Sequence, residues 1–365
     1  MAREIHFGLF VLGTGNHIAG WRYPGASASA QDLKVAQDIA RIAERGKFDL
    51  LFFGDGLSTR PNSHPSYTVR IEPLLLLSAL ATTTTHIGLG ATASTTYSQP
   101  YMVARAFASL DHLSGGRAAW NAVTTAQKEA GGNFGREHPP HDKRYEIAEE
   151  FVDVVKGLWD CWDDDAIVAD RETGLYIDWS RVRPLAHEGS HFSVQGPLGI
   201  GRAPQGHPII LQAGGSEPGQ NLAARTADVV FTVVQDFEEA KAGYAAFRER
   251  VKRFGRNPDD VCIMPGVMPI IGATDAEARV QLDLLQSYVD DKAGIGMLSA
   301  RLGQDLSKLS LDQPVPDLPL PDSSHGFARA MLGKARRENM TLRDLYNLTT
   351  AARGHWVLCG SPKTI

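Results

Sequence analysis

The chain has 365 residues, 43% of them hydrophobic and 22% charged, a balance that excludes disordered and collagen-like classes and allows a large buried core. Thirty-seven basic against 42 acidic side chains give a net charge of -5, and no Lys/Arg cluster reaches the density that a phosphate backbone demands, so nucleic acid is not an expected partner. The three cysteines, Cys161, Cys262 and Cys359, are odd in number and far apart, which fits neither a disulfide framework nor a CxxC pair and points to a reducing compartment. The opening Met-Ala-Arg-Glu-Ile-His-Phe run leads into an apolar stretch too short for a secretory signal. No segment reaches the roughly 18 apolar residues of a membrane span. The expectation is a soluble cytoplasmic chain without a membrane partner.

Short β-branched or aromatic runs alternate with stretches that are apolar at helical spacing, the pattern of repeated βαβ units. Ile5 to Leu12 predicts the first strand, and Leu33, Ala36, Ile39, Ala40 and Ala43 a helix ending near Gly46, a candidate C′ glycine. Phe48 to Phe53 is the second strand. Glu72-Pro73 opens the next helix, with proline where a missing N–H costs least, and His86 to Ala93 is the third strand. A helix from Tyr101 to Leu113, the turn Ser114-Gly115-Gly116 and a strand from Arg117 to Val123 follow, and after a polar loop a helix starts near Asp142. Residues 163–206 lack periodicity and predict an insertion with a hairpin. Strands at Pro208–Ala213, Asp228–Val234 and Val261–Ile271 alternate with helices at Phe237–Phe254 and Ala276–Val289.

The stretch 291–355 reads as a second insertion, mostly helical and broken by the proline-rich Gln313 to Pro321. Seven strands are thus visible. The expectation is a TIM (β/α)₈ barrel over 1–365 as one domain, with the last helix and strand missing from the chain.

In such a barrel chemistry sits past the C-terminal ends of the strands. Gly13, Asn16, His17, Trp21 and Arg22 follow the first strand, Asp55 the second, and Ser94 to Tyr97 the third, while Asn121, Thr124 and Thr125 lie at the fourth. Each also has a structural reading, as turn glycine, β-forming threonine or cap. Gly214-Gly215-Ser216 ahead of a helix offers free amides to an anion. It is neither a Walker loop nor a nucleophile elbow, because no GK[ST] follows and Pro218 stands where a glycine is required. His141 and Tyr145, four residues apart at a helix start, share one face. The prolines of His138-Pro-Pro-His141 argue against a helical metal pair, and no metal site is expected.

The runs Gly15 to Pro24, Ala91 to Tyr97, Phe107 to Arg117, Trp120 to Thr124, His141 to Tyr145 and Gln212 to Glu217 together resemble one group of bacterial-luciferase-like flavoproteins. That group comprises nitrilotriacetate monooxygenase component A, pristinamycin synthase and dibenzothiophene-sulfone monooxygenase. The resemblance implies an FMN-dependent monooxygenase: FMNH₂ arrives from a separate NAD(P)H:flavin reductase and reacts with O₂ to a C4a-(hydro)peroxide that oxygenates a small organic substrate. It also implies a homodimer or homotetramer. Carried over by position, it assigns Asp55, Thr95, His141, Tyr145 and Ser216 to flavin contact, with Asn121 and the Gly215 amide beside them, and His17 to orienting or protonating the peroxide. Two departures stand out. The stretch between Asp55 and Glu72 is shorter than in the relatives, and their chains continue past Gly360-Ser-Pro. An F420-dependent oxidoreductase of the same superfamily and a non-catalytic flavin-binding protein are the alternatives.

Overall fold

The computed structural model describes residues 5–59, 64–235, 237–320 and 325–365, and only the backbone of 325–327. Residues 60–63 of the stretch between Asp55 and Glu72 and Pro321 lie outside the described residues. Four strands alternate with helices in the first half: β1 (Gly8–Val11), α1 (Leu33–Arg45), β2 (Leu50–Phe53), α2 (Pro65–Thr68), α3 (Pro73–Ala81), β3 (Gly88–Ser94), α4 (Pro100–Ser114) and β4 (Ala118–Val123). Then come α5 (Ala130–Asn133), α6 (His141–Trp159), the predicted hairpin of β5 (His187–Glu188) and β6 (Ser193–Val194), β7 (Ile209–Gln212), α7 (Glu217–Thr226), β8 (Val229–Val233) and α8 (Phe237–Arg253). The last part holds β9 (Cys262–Ile271), α9 (Asp275–Ser287), α10 (Asp291–Leu302), α11 (His325–Glu338), α12 (Leu342–Ala352) and β10 (Trp356–Gly360).

Eight strands form one parallel sheet in the order β1-β2-β3-β4-β7-β8-β9-β10. The sheet curls on itself: Phe10 of β1 lies 6.2 Å from Phe231 of β8, edge to face, and a Cβ on Gly8 would come within 3.3 Å of the Met264 sulfur on β9. This is the TIM-type architecture that the alternation predicts. The expected absence of the last strand is corrected. Trp356–Gly360 pairs in register with Val267–Ile271 and completes the eight. Sequence reading missed it because the run is only five residues long and follows a helical insertion in place of a single βα unit. Between β10 and β1 no ladder is formed among the described residues, and the two ends are tied by Ile18 N–H donating to the Thr350 carbonyl and Arg22 to that of Tyr288.

Helix starts follow local chemistry. Asp32, Glu72, Ser216, Thr274 and Thr341 each accept a first-turn amide of the helix they precede. At the end of α1 the expected C′ glycine differs in detail: Gly46 has φ -73°, and the left-handed position falls to Lys47 at φ 62°. The main core lies between sheet and outer helices, where Trp120 of β4 packs against Phe107, Phe151 and Trp159 of α4 and α6. Arg117 joins this layer to α3, its guanidinium donating to the carbonyls of Ala81, Thr84, Ile87 and Ser114 and to the Thr84 hydroxyl. Asp111 accepts from the Ala118 amide and from Gln205. The Phe107 to Arg117 run is therefore architectural. Helices α10, α11 and α12 share a separate apolar cluster that includes Leu298, Leu302, Met331 and Leu345.

Candidate active site at the mouth of the barrel

A cavity of about 660 Å³ opens where the C-terminal ends of β2, β3, β4, β7 and β8 meet. That is the size of a cofactor or small-ligand site, and it lies where a parallel barrel gathers its loops. Asp55, His141, Tyr145, Gly215 and Ser216 all line it.

Ser216 is the N-cap of α7, its hydroxyl accepting from the Gly219 amide at 3.3 Å. The amides of Gly215 and Ser216 have no protein acceptor among the described residues and stand at the positive end of the helix. The turn needs its small residues. A Cβ on Gly214 would lie 2.8 Å from the Gly219 backbone, and one on Gly219 would lie 2.8 Å from the Tyr145 hydroxyl. Tyr145 thereby reaches α7 from α6, with the His141 ring 5.0 Å away on the same face.

Arg144, which sequence reading did not single out, lines the same wall. It donates to the carbonyls of Thr124 and Thr125, and burial lowers its pKa. Asp55, also a lining residue, is in an ion pair with Arg70 at 3.1 Å. Burial raises its carboxyl pKa against the pull of the Gly56 amide and the Arg70 charge.

Ser94, Thr124 and Thr125 line it too, whereas Thr95, Asn121 and His17 do not. Thr95 is buried and its hydroxyl donates to the Val123 carbonyl. Asn121 is one step removed, its amide donating to the Thr92 hydroxyl, and Thr92 is a lining residue. His17, 1% exposed, accepts the Ala19 amide on Nδ1. Burial lowers its pKa to about 4, with the Gln286 side chain pulling the other way.

Two buried donors in the wall, Gln212 Nε2 and Arg144 Nε, have no partner among the described residues. Orphaned buried donors are costly and signal an acceptor supplied from outside. An anion cradle at a helix start, an aromatic hydroxyl and spare donors along one wall fit the phosphate and polyol chain of a flavin mononucleotide. The site thus fits the group that the resemblance implies.

The model of the luciferase-like monooxygenase family matches residues 6–338. The chain is 46% identical over 368 residues to N-acetyl-S-(2-succino)cysteine monooxygenase of Bacillus subtilis (strain 168), covering 100% of this chain and 83% of the relative. It is 41% identical over 379 residues to nitrilotriacetate monooxygenase component A of Aminobacter aminovorans, covering 100% and 84%. Among solved structures, riboflavin lyase (RcaE) with modified FMN and riboflavin superposes with a TM-score of 0.85 at 28% identity, covering 100% of this chain and 83% of that one. The chain belongs to the luciferase-like monooxygenase family and is an oxidoreductase of the flavin-dependent monooxygenase type.

Proposed function

We propose that this cavity binds FMN, that the cofactor works as FMNH₂ delivered by a separate NAD(P)H:flavin reductase, and that O₂ and a small organic substrate meet there. The observation that carries the reading is the Gly214-Gly215-Ser216 turn, whose open amides at the start of α7 face the cavity beside Tyr145 and His141. Bound reduced flavin supplies the electrons that activate oxygen. The chain's own residues bind, orient and shield.

In this reading Ser216, the Gly215 amide and the Tyr145 hydroxyl hold the phosphate. His141 stacks its edge on Tyr145 and fixes that ring. Gln212 and Arg144 donate to the polyol chain. Asp55, kept in place by Arg70, faces the polar edge of the ring system. Thr95 and Asn121 act behind the wall: each ties β3 to β4, and Asn121 orients the Thr92 hydroxyl. His17 positions the β1–α1 loop by accepting the Ala19 amide.

Water exclusion falls to the apolar part of the lining, Ala122, Val230, Phe231 and Phe247 among it, which lowers the local dielectric around any charge that develops. A homodimer or homotetramer is supported by the exposed apolar surface of Ile167, Tyr176 and Trp179 on the first insertion. Three free cysteines fit a cytoplasmic location, and no helix among the described residues is long and apolar enough to cross a membrane.

The test is titration of the purified protein with FMN and, anaerobically, with FMNH₂, followed by oxygen uptake with a flavin reductase present. Saturable binding of the reduced flavin is expected. Binding of neither redox state sinks the proposal, and binding of F420 in place of FMN turns it towards the deazaflavin alternative.

A further inference from the structure

Resting on that reading, we infer that Arg144 sets the charge preference of this site: beyond donating to the polyol chain, its guanidinium is the counter-ion of a negative charge carried by the bound flavin, at the phosphate or on the reduced ring. Arg144 lies near the start of α6, one position before Tyr145, and it lines the cavity although it is only 5% exposed. Its Nη1 donates to the Thr124 carbonyl at 3.1 Å and the Thr125 carbonyl at 2.8 Å, which fixes the head group just past the end of β4. The other edge of the fork is left without work. Nε has no acceptor, and Nη2 donates to nothing among the described residues.

No carboxylate offsets this charge among the described residues. Of the acidic groups in the lining, Asp55 is held by Arg70, and Glu239 accepts the Gln235 amide at 3.3 Å. Neither is among the groups whose charge acts on Arg144, which are the phenols of Tyr145 and Tyr97. Phenols are ordinarily neutral at pH 7. Elsewhere in the chain a half-buried arginine has its acid: Arg202 pairs with Asp160 and Arg250 with Glu217. A guanidinium taken out of water without an anion is costly, and a ligand that carries negative charge into the cavity removes that cost.

The backbone beside it points the same way. Thr125, a lining residue, has φ 45°, in the left-handed region where a β-branched side chain is strained. Two contacts keep it there: the Arg144 donation to its carbonyl, and its own hydroxyl donating to Ser94 Oγ at 2.7 Å. Strain of this kind collects where a ligand is held. The Tyr145 hydroxyl meanwhile reaches the start of α7, since a Cβ on Gly219 would come within 2.8 Å of it, and so ties the helix of Arg144 to the turn proposed for the phosphate. FMN has two sources of negative charge. Its phosphate carries about two charges, and its ring releases a proton near neutral pH once reduced. Riboflavin lacks the first and the oxidised ring lacks the second, so four ligands separate them.

The experiment measures Kd for FMN and riboflavin, each oxidised and, anaerobically, reduced, with the wild type, Arg144→Lys, Arg144→Met and Arg144→Gln. Glutamine keeps an amide donor for the two carbonyls without the charge, so one neutral variant remains should methionine loosen the fold, and thermal melts monitor both. Ratios are read instead of single affinities, because a wall that merely loosens weakens all four ligands alike. The wild type is expected to prefer FMN to riboflavin. In Arg144→Met and Arg144→Gln that preference is expected to fall about tenfold or more, the range of a charge-assisted hydrogen bond, and in Arg144→Lys to be largely kept. A fall in the FMN-to-riboflavin ratio assigns the charge to the phosphate. A fall in the reduced-to-oxidised ratio assigns it to the ring and lowers the midpoint potential of the bound flavin by about 30 mV per tenfold.

Three results overturn the inference: equal wild-type affinity for all four ligands, wild-type ratios in both neutral variants, or the same loss of preference in Arg144→Lys as in Arg144→Met. Failure of the wild type to bind any flavin strikes the proposed cofactor and this inference with it. Flavin binding by the wild type with ratios that the neutral variants preserve strikes this inference alone.

Discussion

Ser216 does two jobs that can be separated by substitution. As N-cap of α7 it satisfies the Gly219 amide, and in the proposed function its side of the turn receives the flavin phosphate. Aspartate is as good an N-cap as serine, so Ser216→Asp keeps the cap and sets a negative charge at the phosphate position. Two unit charges about 5 Å apart at an effective dielectric of about 20 repel by roughly 3 kcal/mol, which is on the order of a hundredfold in Kd. Alanine does the reverse. Ser216→Ala loses the cap, about 1 kcal/mol, and for a chain of this size Tm falls by only about 1–2 °C. It places no charge against the ligand. Fluorescence titration with FMN and thermal melts of the two variants read both quantities. The reasoning is refuted if Ser216→Asp binds FMN as the wild type does, or if Ser216→Ala loses more affinity than Ser216→Asp.

Three further outcomes are expected. Gly214→Ala drives a methyl to 2.8 Å from the Gly219 backbone, so the turn must open; a stability loss of about 1–3 kcal/mol with weaker FMN binding should appear in urea unfolding and titration, and an unperturbed variant would show that the turn is not tight. Trp120→Ala empties the centre of the α4–α6–β4 layer and should cost about 3–5 kcal/mol, with a change below 1 kcal/mol arguing against that packing. His17 and His64 are buried with pKa values of about 4 and about 3, against 6.5 when unfolded, so below pH 6.5 the unfolded chain takes up protons that the folded one refuses. Stability is therefore fully present above pH 6.5 and falls as pH drops, by about 1.4 kcal/mol per pH unit for each histidine, or about 2 kcal/mol each by pH 5. His64→Asn, which preserves the cap of α2, should remove one share of that slope; an unchanged slope would show that His64 is protonated in the fold.

What could be read from the sequence was whatever depends on neighbours in the chain. Seven of the eight barrel strands and their helices follow from periodicity, because burial on one face repeats every two or 3.6 residues. The Gly214-Gly215-Ser216 turn and the His141–Tyr145 pair were visible for the same reason, as each is a local arrangement at a helix start. Strand β10 escaped because five residues after a long insertion carry little period of their own. Among the candidate residues, motif strings could not separate those that face the cavity from those that hold the wall behind it. Thr95 and Asn121 sit beside lining residues, and only their hydrogen bonds show which way they act.

Contacts between segments far apart in the chain were out of reach altogether. Asn16 lies in the β1–α1 loop, Tyr67 in α2, Arg70 just after it and Arg353 at the end of α12, and no spacing relates the last to the others. Curling a parallel sheet of eight strands fixes which loops meet at its mouth, and that is a property of topology. The sequence determined the barrel and the glycine-rich turn at the start of α7. The tertiary structure alone decided which candidate residues face the cavity and which hold the wall behind it, because that requires knowing everything that surrounds each side chain.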